Sequence, residues 1–324
     1  MSELIRVAVL MGGPSQEHDI SLKSGNGVAQ ALRLEGFVVE QLSVPRSSSR
    51  EEAIAWTKGE LLRAQPAVAF ITLHGAFGED GTVQALCEEL RLPYTGSDVR
   101  ASRLGMDKLV SRERFIEAGL LVPRSHTVAA GSWNAAEVAE LKYPLVAKPI
   151  DQGSSIGVSL VKSPADLALA VQEAAQYGER VLIEEYIHGQ ELTVGVLGTR
   201  ALPVIEVIPK HTFFDFTAKY TAGLTEYRVP ADLSQMLSTR IQAVGWRAHQ
   251  ALGCRHLSRT DLILDAAGRC FVLEVNTIPG FTPTSLLPKA ALCVGISYPM
   301  LCRQIVEMAL KARRPAAVSA AKGA

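Results

Sequence analysis

Three oxygen-bearing side chains stand at positions where they could together bind a divalent cation. Glu274 and Asn276 lie two residues apart in the apolar run FVLEVN, so in a β-strand they share one face while Leu273 and Val275 are buried beneath. The run RTDLIL precedes it, with the turn signal DAAG between them. Folding about this turn brings Asp261 opposite Glu274. Two carboxylates this close repel unless a hard cation separates them, so the pattern predicts a Mg²⁺ site, with a solvated polar hairpin as the alternative.

A magnesium site of this kind usually accompanies phosphates, and one loop has a suitable composition. The segment GSSIG, residues 153 to 157, lies between two predicted strands, and its small residues let backbone amides approach an anion. It is not a Walker A loop, because no Gly-Lys-Ser/Thr follows and no helix begins there. Lys148 ends an apolar strand and needs an anionic partner if it is carried inward. Lys108 and Lys219 are further candidates, although each lysine alone also fits a solvated surface position.

Acidic and histidine side chains follow other predicted strands. Glu184 and Glu185 end one strand, and Glu191 follows shortly after. These carboxylates could accept hydrogen bonds from an adenine amine and from ribose hydroxyls, or they could only mark a domain boundary. Glu17 and His74 each follow a predicted parallel strand, where open α/β sheets place their ligands. The dinucleotide fingerprint G-x-G-x-x-G is absent there, which argues against an NAD site.

The elements that must position these residues follow two patterns. From Ile5 to about Gly96, apolar runs alternate with helical periodicity, which predicts an open parallel sheet with helices on both faces. One helical stretch from Asp98 to Ala118 then leads into short strands, single helices and the hairpin, which indicates an α+β arrangement. A final amphipathic helix spans about Tyr298 to Lys311. The tail from residue 314 onward lacks periodicity and is expected to be flexible.

Composition limits the class of protein. The 324 residues exceed what one core comfortably holds, and 48% apolar with 20% charged residues is an ordinary soluble composition. Lys and Arg number 33, as do Asp and Glu, so no global field favours nucleic acid or an anionic membrane. The five cysteines form no CxxC pair, and the apolar N-terminal run is too short for a signal peptide. These features indicate a cytoplasmic protein.

Taken in order, these segments resemble the D-alanine–D-alanine ligases, which are ATP-grasp enzymes of bacterial cell-wall synthesis. The matching stretches run from Val7 to about Pro288 and are GGPSQEHDISLKSG, LHGAFGEDGTVQALCE, PYTGSDVRASRLGMDK, VAKPIDQGSSIGVS, LIEEYIHGQELTV, FDFTAKY, RTDLIL and LEVNTIPGFTPTSLLP. The resemblance implies a Rossmann-like N-terminal domain at 1–96, followed by a two-part ATP-grasp fold with a central subdomain at 97–184 and a C-terminal subdomain at 185–313. It also implies a homodimer, although the residues themselves do not determine the oligomeric state.

The resemblance also assigns roles to the candidate residues. The residues that would bind ATP are Lys108, Lys148, Ser154, Ser155, Glu184, Glu185, Ile187, Glu191, Phe213 and Lys219. The residues that would hold two Mg²⁺ ions, or Mn²⁺, are Asp261, Glu274 and Asn276. The residues that would bind or act on D-alanine are Glu17, His74, Ser154, Tyr220, Arg259, Gly280, Ser285 and Leu286. His18 departs from the family, which commonly has arginine there, and this bears on how the Glu17 loop is held.

The implied reaction is ATP-dependent ligation of two D-alanines through a D-alanyl phosphate. A loop from His211 to Pro230 would close over the site and exclude water, with Tyr220 meeting Glu17 and Ser154. A tyrosine at this position resembles the dipeptide-forming members. Ligation of D-alanine to D-lactate or D-serine is an alternative, and a different ATP-grasp ligase would not explain Glu17. A non-catalytic nucleotide-binding relative should lack a metal ligand or Arg259, and all of these are present.

Overall fold

The structure is a computed structural model that describes residues 4–46, 49–150, 153, 156–209 and 225–312. Most of the predicted closing loop and the C-terminal tail lie outside these residues. The predicted site residues that also lie outside them are Ser154, Ser155, Phe213, Lys219 and Tyr220. The roles given to these five residues therefore stay predictions.

The N-terminal unit is a parallel sheet in the strand order β2-β1-β3. Its elements are β1 (Arg6–Gly12), α1 (His18–Leu34), β2 (Val38–Val44), α2 (Arg50–Ala64), β3 (Val68–Ile71) and α3 (Thr82–Glu89). Side chains alternate across β1, so Val7 and Val9 pack in one core with α1, and Ala8 and Leu10 pack in another with α2 and α3. The predicted parallel sheet with helices on both faces is confirmed.

Two helices follow where the sequence pattern predicts one stretch. They are α4 (Val99–Met106) and α5 (Lys108–Glu117), separated at Asp107. The Asp107 backbone is extended, and its Oδ1 accepts hydrogen bonds from the amides of Leu109 (2.9 Å) and Val110 (3.2 Å). The single-helix prediction is therefore wrong, because Asp107 caps a new helix. This break makes Lys108 the first residue of α5.

A small antiparallel sheet forms the central unit, with the strand order β4-β7-β5-β6. Its elements are β4 (Ser125–Ala129), β5 (Leu145–Pro149), β6 (Ser159–Val161), α6 (Pro164–Ala175) and β7 (Arg180–Glu185). Helix α6 starts at a capping box formed by Ser163 and Asp166 and packs on β5 and β6. The sheet carries Lys148 on β5 and Glu184 on the neighbouring strand β7.

The largest sheet has the order β11-β10-β8-β12-β13, with β9 paired to β8. Its elements are β8 (Gly189–Leu197), β9 (Arg200–Ala201), β10 (Ile205–Pro209), β11 (Thr225–Arg228), α7 (Gln235–Leu252), β12 (Leu257–Asp265) and β13 (Cys270–Asn276). Helix α7 crosses one face of this sheet. A Cβ on Gly245 would lie 2.6 Å from Val194 Cβ, so a glycine is required where the helix approaches β8.

The chain ends with α8 (Leu286–Leu292) and α9 (Tyr298–Ala312). Leu301 and Ile305 of α9 pack in the same core as Val9 and Val68 of the N-terminal sheet. The predicted final helix is confirmed, and the core that it joins contains residues of the first sheet and also Leu197, Ile205 and Leu257 of the largest sheet. The domain boundaries drawn from the sequence stay predictions.

Two further features concern the surface and the core. Cys87, Cys254, Cys270 and Cys302 are buried and unpaired, whereas Cys293 is exposed. None of the helices in the described part of the chain combines the length and apolar character needed to span a bilayer. The fold is mixed α/β and α+β.

Candidate active site

The predicted hairpin brings the two metal-ligand candidates face to face. In the β12–β13 ladder, Asp261 pairs with Glu274 and Arg259 pairs with Asn276. The register then shifts between Asp261 and Leu262, because Leu262 pairs with Val272. Leu273 is the extra residue of this irregularity. The predicted juxtaposition of Asp261 and Glu274 is confirmed.

The strand irregularity re-aims one side chain. In a regular strand Leu273 and Glu274 would point to opposite faces, as the sequence pattern predicts. In the structure both residues line the same cavity, and Leu273 is only half-buried while Val275 is buried. The expectation that Leu273 is buried beneath the site is therefore wrong. The bulge gives the cavity an apolar side chain directly beside a carboxylate.

Cationic side chains neutralise the two opposed carboxylates. Arg259 donates to Asp261 through Nε (2.8 Å to Oδ1) and Nη2 (2.7 Å to Oδ2). Thr193 and Asn276 also donate to Asp261, at 2.8 and 3.2 Å. Lys108 Nζ lies 3.9 Å from Glu274 Oε2. These contacts explain how two acidic residues tolerate each other on adjacent strands.

The chemistry of this donor set can be compared with the needs of a metal. No group of three or more His, Cys, Asp or Glu side chains in the described residues could hold a metal ion. The hairpin offers two carboxylates and the Asn276 amide, which are hard oxygen donors of the kind Mg²⁺ binds. A cation held there would need further ligands from phosphate or water. The residues present fit such an ion, which usually keeps several waters.

A cavity of about 340 Å³ lies between the central sheet and the largest sheet. Its floor includes Asp261 and Glu274, and Lys108 and Lys148 enter its wall. The cavity therefore brings lysines and carboxylates from four separate stretches of the chain together. The predicted nucleotide-binding residues that line it are Lys108, Lys148, Glu184, Glu185, Ile187 and Glu191.

Glu184 is a buried carboxylate with a cation on each oxygen. Lys148 Nζ lies 2.5 Å from Glu184 Oε1, and Arg112 Nη1 lies 3.0 Å from Oε2. Burial lowers the pKa of Arg112, and the attraction of Glu184 opposes this shift. Lys148 thus has the anionic partner that its inward position requires. Arg112 was not expected from the sequence, although its i,i+4 spacing from Lys108 was a usable signal.

Glu185 and Glu191 occupy different parts of the cavity wall. Glu185 follows Glu184 on β7, so its side chain points to the opposite face of the central sheet. Its Oε1 accepts a hydrogen bond from the Lys142 amide at 3.1 Å. Glu191 lies on β8, paired with Ile263 on one side and Val207 on the other. This central position in the largest sheet fixes where Glu191 stands relative to the hairpin.

Glu17 precedes the first helix and lies beside two loops. It occupies the N-cap position of α1. A Cβ built on Gly75 would lie 3.0 Å from Glu17 Oε2, and one built on Gly153 would lie 3.7 Å from it. His18 Nδ1 contacts the Gly13 carbonyl at 2.7 Å, so the histidine holds the loop that leads to Glu17.

His74 is buried at the end of the N-terminal sheet. Its Nδ1 lies 3.1 Å from the Ile278 carbonyl and its Nε2 lies 3.3 Å from Ser24 Oγ. Burial lowers the pKa of His74, while Glu17 and the Ile278 carbonyl raise it. Since Nδ1 faces a carbonyl, it carries the proton, and the imidazole is neutral near pH 7.

Glu79 joins the same arrangement and was missed from the sequence. Its carboxylate accepts from the amide of Gly75 at 2.8 Å and from the amide of Ile278. The pKa of Glu79 is raised to about 8, mainly by burial and also by the charge of Glu17, while the two amide hydrogen bonds oppose the shift. Its position in the run HGAFGED, beside His74, was the available signal. Glu79 and His74 together hold both backbone groups of Ile278.

The loop after β13 carries the remaining predicted residues. Ser285 Oγ accepts from the Thr282 amide at 3.0 Å, and a Cβ on Gly280 would lie 3.4 Å from it. The Tyr298 hydroxyl donates to the Phe281 carbonyl at 2.7 Å. Leu286 follows as the half-buried first residue of α8. The loop with Gly280 is therefore held by its own serine and by Tyr298 of α9.

Comparison with family models places most of this chain within two matches. Residues 40–97 match the model described as "D-ala D-ala ligase N-terminus". Residues 115–307 match the model described as "D-ala D-ala ligase C-terminus". Together these matches include the hairpin, the loop with Gly280 and every residue that lines the cavity except Lys108.

Individual relatives agree with these matches. The chain is 45% identical over 304 residues to a D-alanine–D-alanine ligase of Trichlorobacter lovleyi, covering 93% of each chain. It is 42% identical to the ligase of Geobacter sulfurreducens, again covering 93% of each. The ligase of Bacillus anthracis complexed with ATP superposes with a TM-score of 0.82 at 30% identity, covering 95% of this chain and 98% of that one. The VanG D-Ala:D-Ser ligase of Enterococcus faecalis superposes with a TM-score of 0.82 at 29% sequence identity. The match covers 95% of this chain and 100% of that one.

Proposed function

Because the chain belongs to the D-alanine–D-alanine ligase family, we propose that it joins two D-alanine molecules to D-alanyl-D-alanine for peptidoglycan precursors. The reaction consumes ATP and releases ADP and phosphate. The observation that carries this proposal is the single cavity in which Asp261 and Glu274 face each other beside Lys108 and Lys148. Such a cavity can bind the phosphates of a nucleotide and neutralise the charge that moves during phosphoryl transfer.

The nucleotide is bound along the cavity wall. Lys108 and Lys148 bind the phosphates as cations, Glu184 accepts from the adenine amine, and Glu191 accepts from the ribose hydroxyls. Their shared position on one cavity supports these roles. Glu185 and Ile187 adjoin the base. The residues assigned to the nucleotide from the family resemblance alone are Ser154, Ser155, Phe213 and Lys219.

The metal ligands are Asp261, Glu274 and Asn276, which are proposed to hold two Mg²⁺ ions, with Mn²⁺ as a substitute. Bound ions of this kind draw charge from the phosphate oxygens during transfer. The oxygen donors on the hairpin support the choice of a hard cation. In the structure Arg259 and Lys108 contact these carboxylates, so they are the cations that must yield to a metal.

The first half of the reaction activates a carboxylate, which is a poor electrophile. Glu17 binds the ammonium group of the first D-alanine and sets its carboxylate towards the γ-phosphate. A carboxylate oxygen attacks the γ-phosphorus, the bond to ADP breaks, and D-alanyl phosphate forms. Lys108 and Lys148 balance the negative charge on the phosphates. Water must be excluded at this stage, because it would hydrolyse the acyl phosphate.

The second half forms the peptide bond. The neutral amine of the second D-alanine attacks the acyl carbon, and phosphate leaves. Arg259 and the Gly280 amide stabilise the oxyanion of the tetrahedral intermediate. Ser285 and Leu286 receive the carboxylate of the second D-alanine. The neutral His74 lies next to this loop through Ile278 and adds no charge that would repel the incoming ammonium form.

A competition experiment tests the product. The protein is incubated with ATP, Mg²⁺ and equal amounts of D-alanine, D-serine and D-lactate, and the products are resolved by mass spectrometry. We expect D-alanyl-D-alanine with little ester, because Tyr220 resembles the tyrosine of dipeptide-forming members. L-Alanine should give no phosphate release. A mainly ester or D-alanyl-D-serine product would refute the choice of second substrate, and no product at all from D-alanine would refute the function.

Further features of the fold, location and assembly belong to the same proposal. The N-terminal unit is proposed to be Rossmann-like, which its parallel sheet supports. The two later sheets are proposed to be the halves of an ATP-grasp fold. The protein is proposed to act in the cytoplasm as a homodimer on small molecules, with neither nucleic acid nor membrane as a partner. Light scattering after size-exclusion chromatography measures the oligomeric state.

A further inference from the structure

Arg112 is a buried arginine that stands behind the nucleotide cavity. It lies on α5 one turn after Lys108, and only 5% of its surface is exposed. Nη2 donates to the Pro123 carbonyl and to Ser125 Oγ, the latter at 3.0 Å, while Nη1 donates to Glu184 at 3.0 Å. All three contacts hold the planar guanidinium in one orientation. Lys108, Lys148 and Glu184 line the cavity, and Arg112 reaches it through Glu184.

The two cations on Glu184 differ in what else they can do. Lys148 is a flexible point charge at the cavity wall, and its proposed task is to bind phosphate. Arg112 Nη2 donates to the Pro123 carbonyl and to Ser125, so the guanidinium cannot turn towards a ligand without losing these hydrogen bonds. Arg112 is therefore the partner that keeps Glu184 oriented when Lys148 is shared with a nucleotide.

A carboxylate held in one orientation can select one class of base. It only accepts hydrogen bonds, so it binds an exocyclic amine and repels a carbonyl oxygen in the same place. Building on the proposed nucleotide site, we infer that Arg112 is a positioning residue that sets base selectivity by fixing the Glu184 carboxylate towards the base. The pocket then takes 6-aminopurines and rejects 6-oxopurines such as hypoxanthine and guanine.

The test compares ADP with inosine diphosphate, which share the ribose and phosphates and differ at the purine 6-position. Isothermal titration calorimetry without D-alanine gives the dissociation constant of each, and no turnover occurs. We expect the wild-type protein to bind ADP about tenfold or more tightly, the effect of one hydrogen bond to a charged group. In Arg112→Met the preference should fall to about threefold or less. A wild-type protein that binds both equally would overturn the inference.

Arg114→Met is the matched control. Arg114 lies on the same helix and pairs with Glu117 at 2.7 Å, but its side chain is 40% exposed and lies away from the cavity. This variant should keep the wild-type ratio. Circular dichroism reports whether each variant is folded. If Arg112→Met is not folded, Arg112→Lys serves instead, because lysine keeps the positive charge but lacks the several fixed donors of the guanidinium. Its preference for ADP over inosine diphosphate should be at least threefold smaller than that of the wild type.

A double-mutant cycle separates positioning from general destabilisation. If Arg112 acts through Glu184, then adding Arg112→Met to Glu184→Gln should change the ADP to inosine diphosphate ratio less than twofold. The role of Arg112 is refuted if folded Arg112→Met keeps the wild-type preference for ADP over inosine diphosphate. It is also refuted if Arg112→Met lowers this preference equally in the wild-type protein and in Glu184→Gln. Ligase activity with D-alanine is measured separately on the wild-type protein. Its absence would count against the proposed function and leave the nucleotide ratios interpretable.

Discussion

Arg259 donates two hydrogen bonds to the Asp261 carboxylate, from Nε at 2.8 Å and from Nη2 at 2.7 Å. The pair joins the residue proposed to stabilise the oxyanion to a residue proposed to bind metal. A bidentate guanidinium–carboxylate pair fixes the orientation of both side chains. Metal binding at Asp261 and the placement of Arg259 are therefore coupled, and a change at either residue should affect both halves of the reaction.

Asp261→Asn and Glu274→Gln should each fold but lose most turnover. Both changes remove a charge from a partly solvated site without changing side-chain size, and each removes a carboxylate ligand from the proposed metal site. We expect kcat to fall on the order of 100-fold or more. An ADP-release assay at saturating Mg²⁺ measures this, and thermal unfolding checks the fold.

Asp265→Asn is the control for these two variants. Asp265 lies on the same strand and pairs with Arg269 at 2.7 Å, outside the cavity. Its substitution should leave kcat within about twofold, since a pair of this kind contributes little to the rest of the molecule. Rates near wild type in Asp261→Asn would rule out the assigned ligands.

Lys148→Ala should weaken nucleotide binding, because the lysine loses its charge-assisted contact with phosphate. It also leaves Glu184 with Arg112 as its cation. Calorimetry with ADP should show affinity reduced about tenfold or more. The exposed Lys162 supplies the control, and Lys162→Ala should bind ADP like the wild type. Equal affinity in both variants would assign Lys148 a structural role.

Glu79→Ala should reduce turnover without reducing ADP affinity. Glu79 holds the amide of Ile278, two residues before Gly280, and it lies outside the nucleotide cavity. Losing this contact loosens the loop that carries the oxyanion donor, so kcat should fall about tenfold. Glu79→Gln keeps an acceptor oxygen and should recover much of the rate. Identical rates in Glu79→Ala and the wild type would show that the loop is held without Glu79.

Acid should destabilise the fold through His249. Burial lowers the pKa of His249 to about 4, and its Nδ1 contacts Ser258 Oγ at 2.7 Å. Between pH 6.5 and 4 the unfolded chain therefore binds a proton that the folded chain does not, so the free energy of unfolding falls as the pH is lowered. From pH 7 to pH 5 this amounts to roughly 2 kcal/mol.

Urea unfolding at both pH values measures this effect. In His249→Gln the difference between pH 7 and pH 5 should be smaller than in the wild type by about that amount. His126→Gln, at a histidine whose side chain is 47% exposed, is the comparison variant measured in parallel. An unchanged difference in His249→Gln would mean that His249 does not contribute to acid sensitivity.

Local patterns in the sequence were sufficient for the hairpin and for the first sheet. The turn DAAG and the alternation on either side of it already place Asp261 opposite Glu274, because the register of a hairpin follows from its turn and its period of two. The same reasoning predicts the parallel sheet, since buried β1 and β3 alternate with helical periodicity. These features depend on residues close together in the chain.

Features that depend on distant residues were decided only by tertiary packing. Arg112 and Glu184 are 72 residues apart, and His74 and Ile278 are 204 apart, so no local period connects them. Helix α9 could be predicted from its apolar stripe, but a stripe does not specify which core it joins. The bulge at Leu273 likewise arises from pairing across two strands. The sequence determined the kinds of groups available to the site, and long-range packing determined which of them meet.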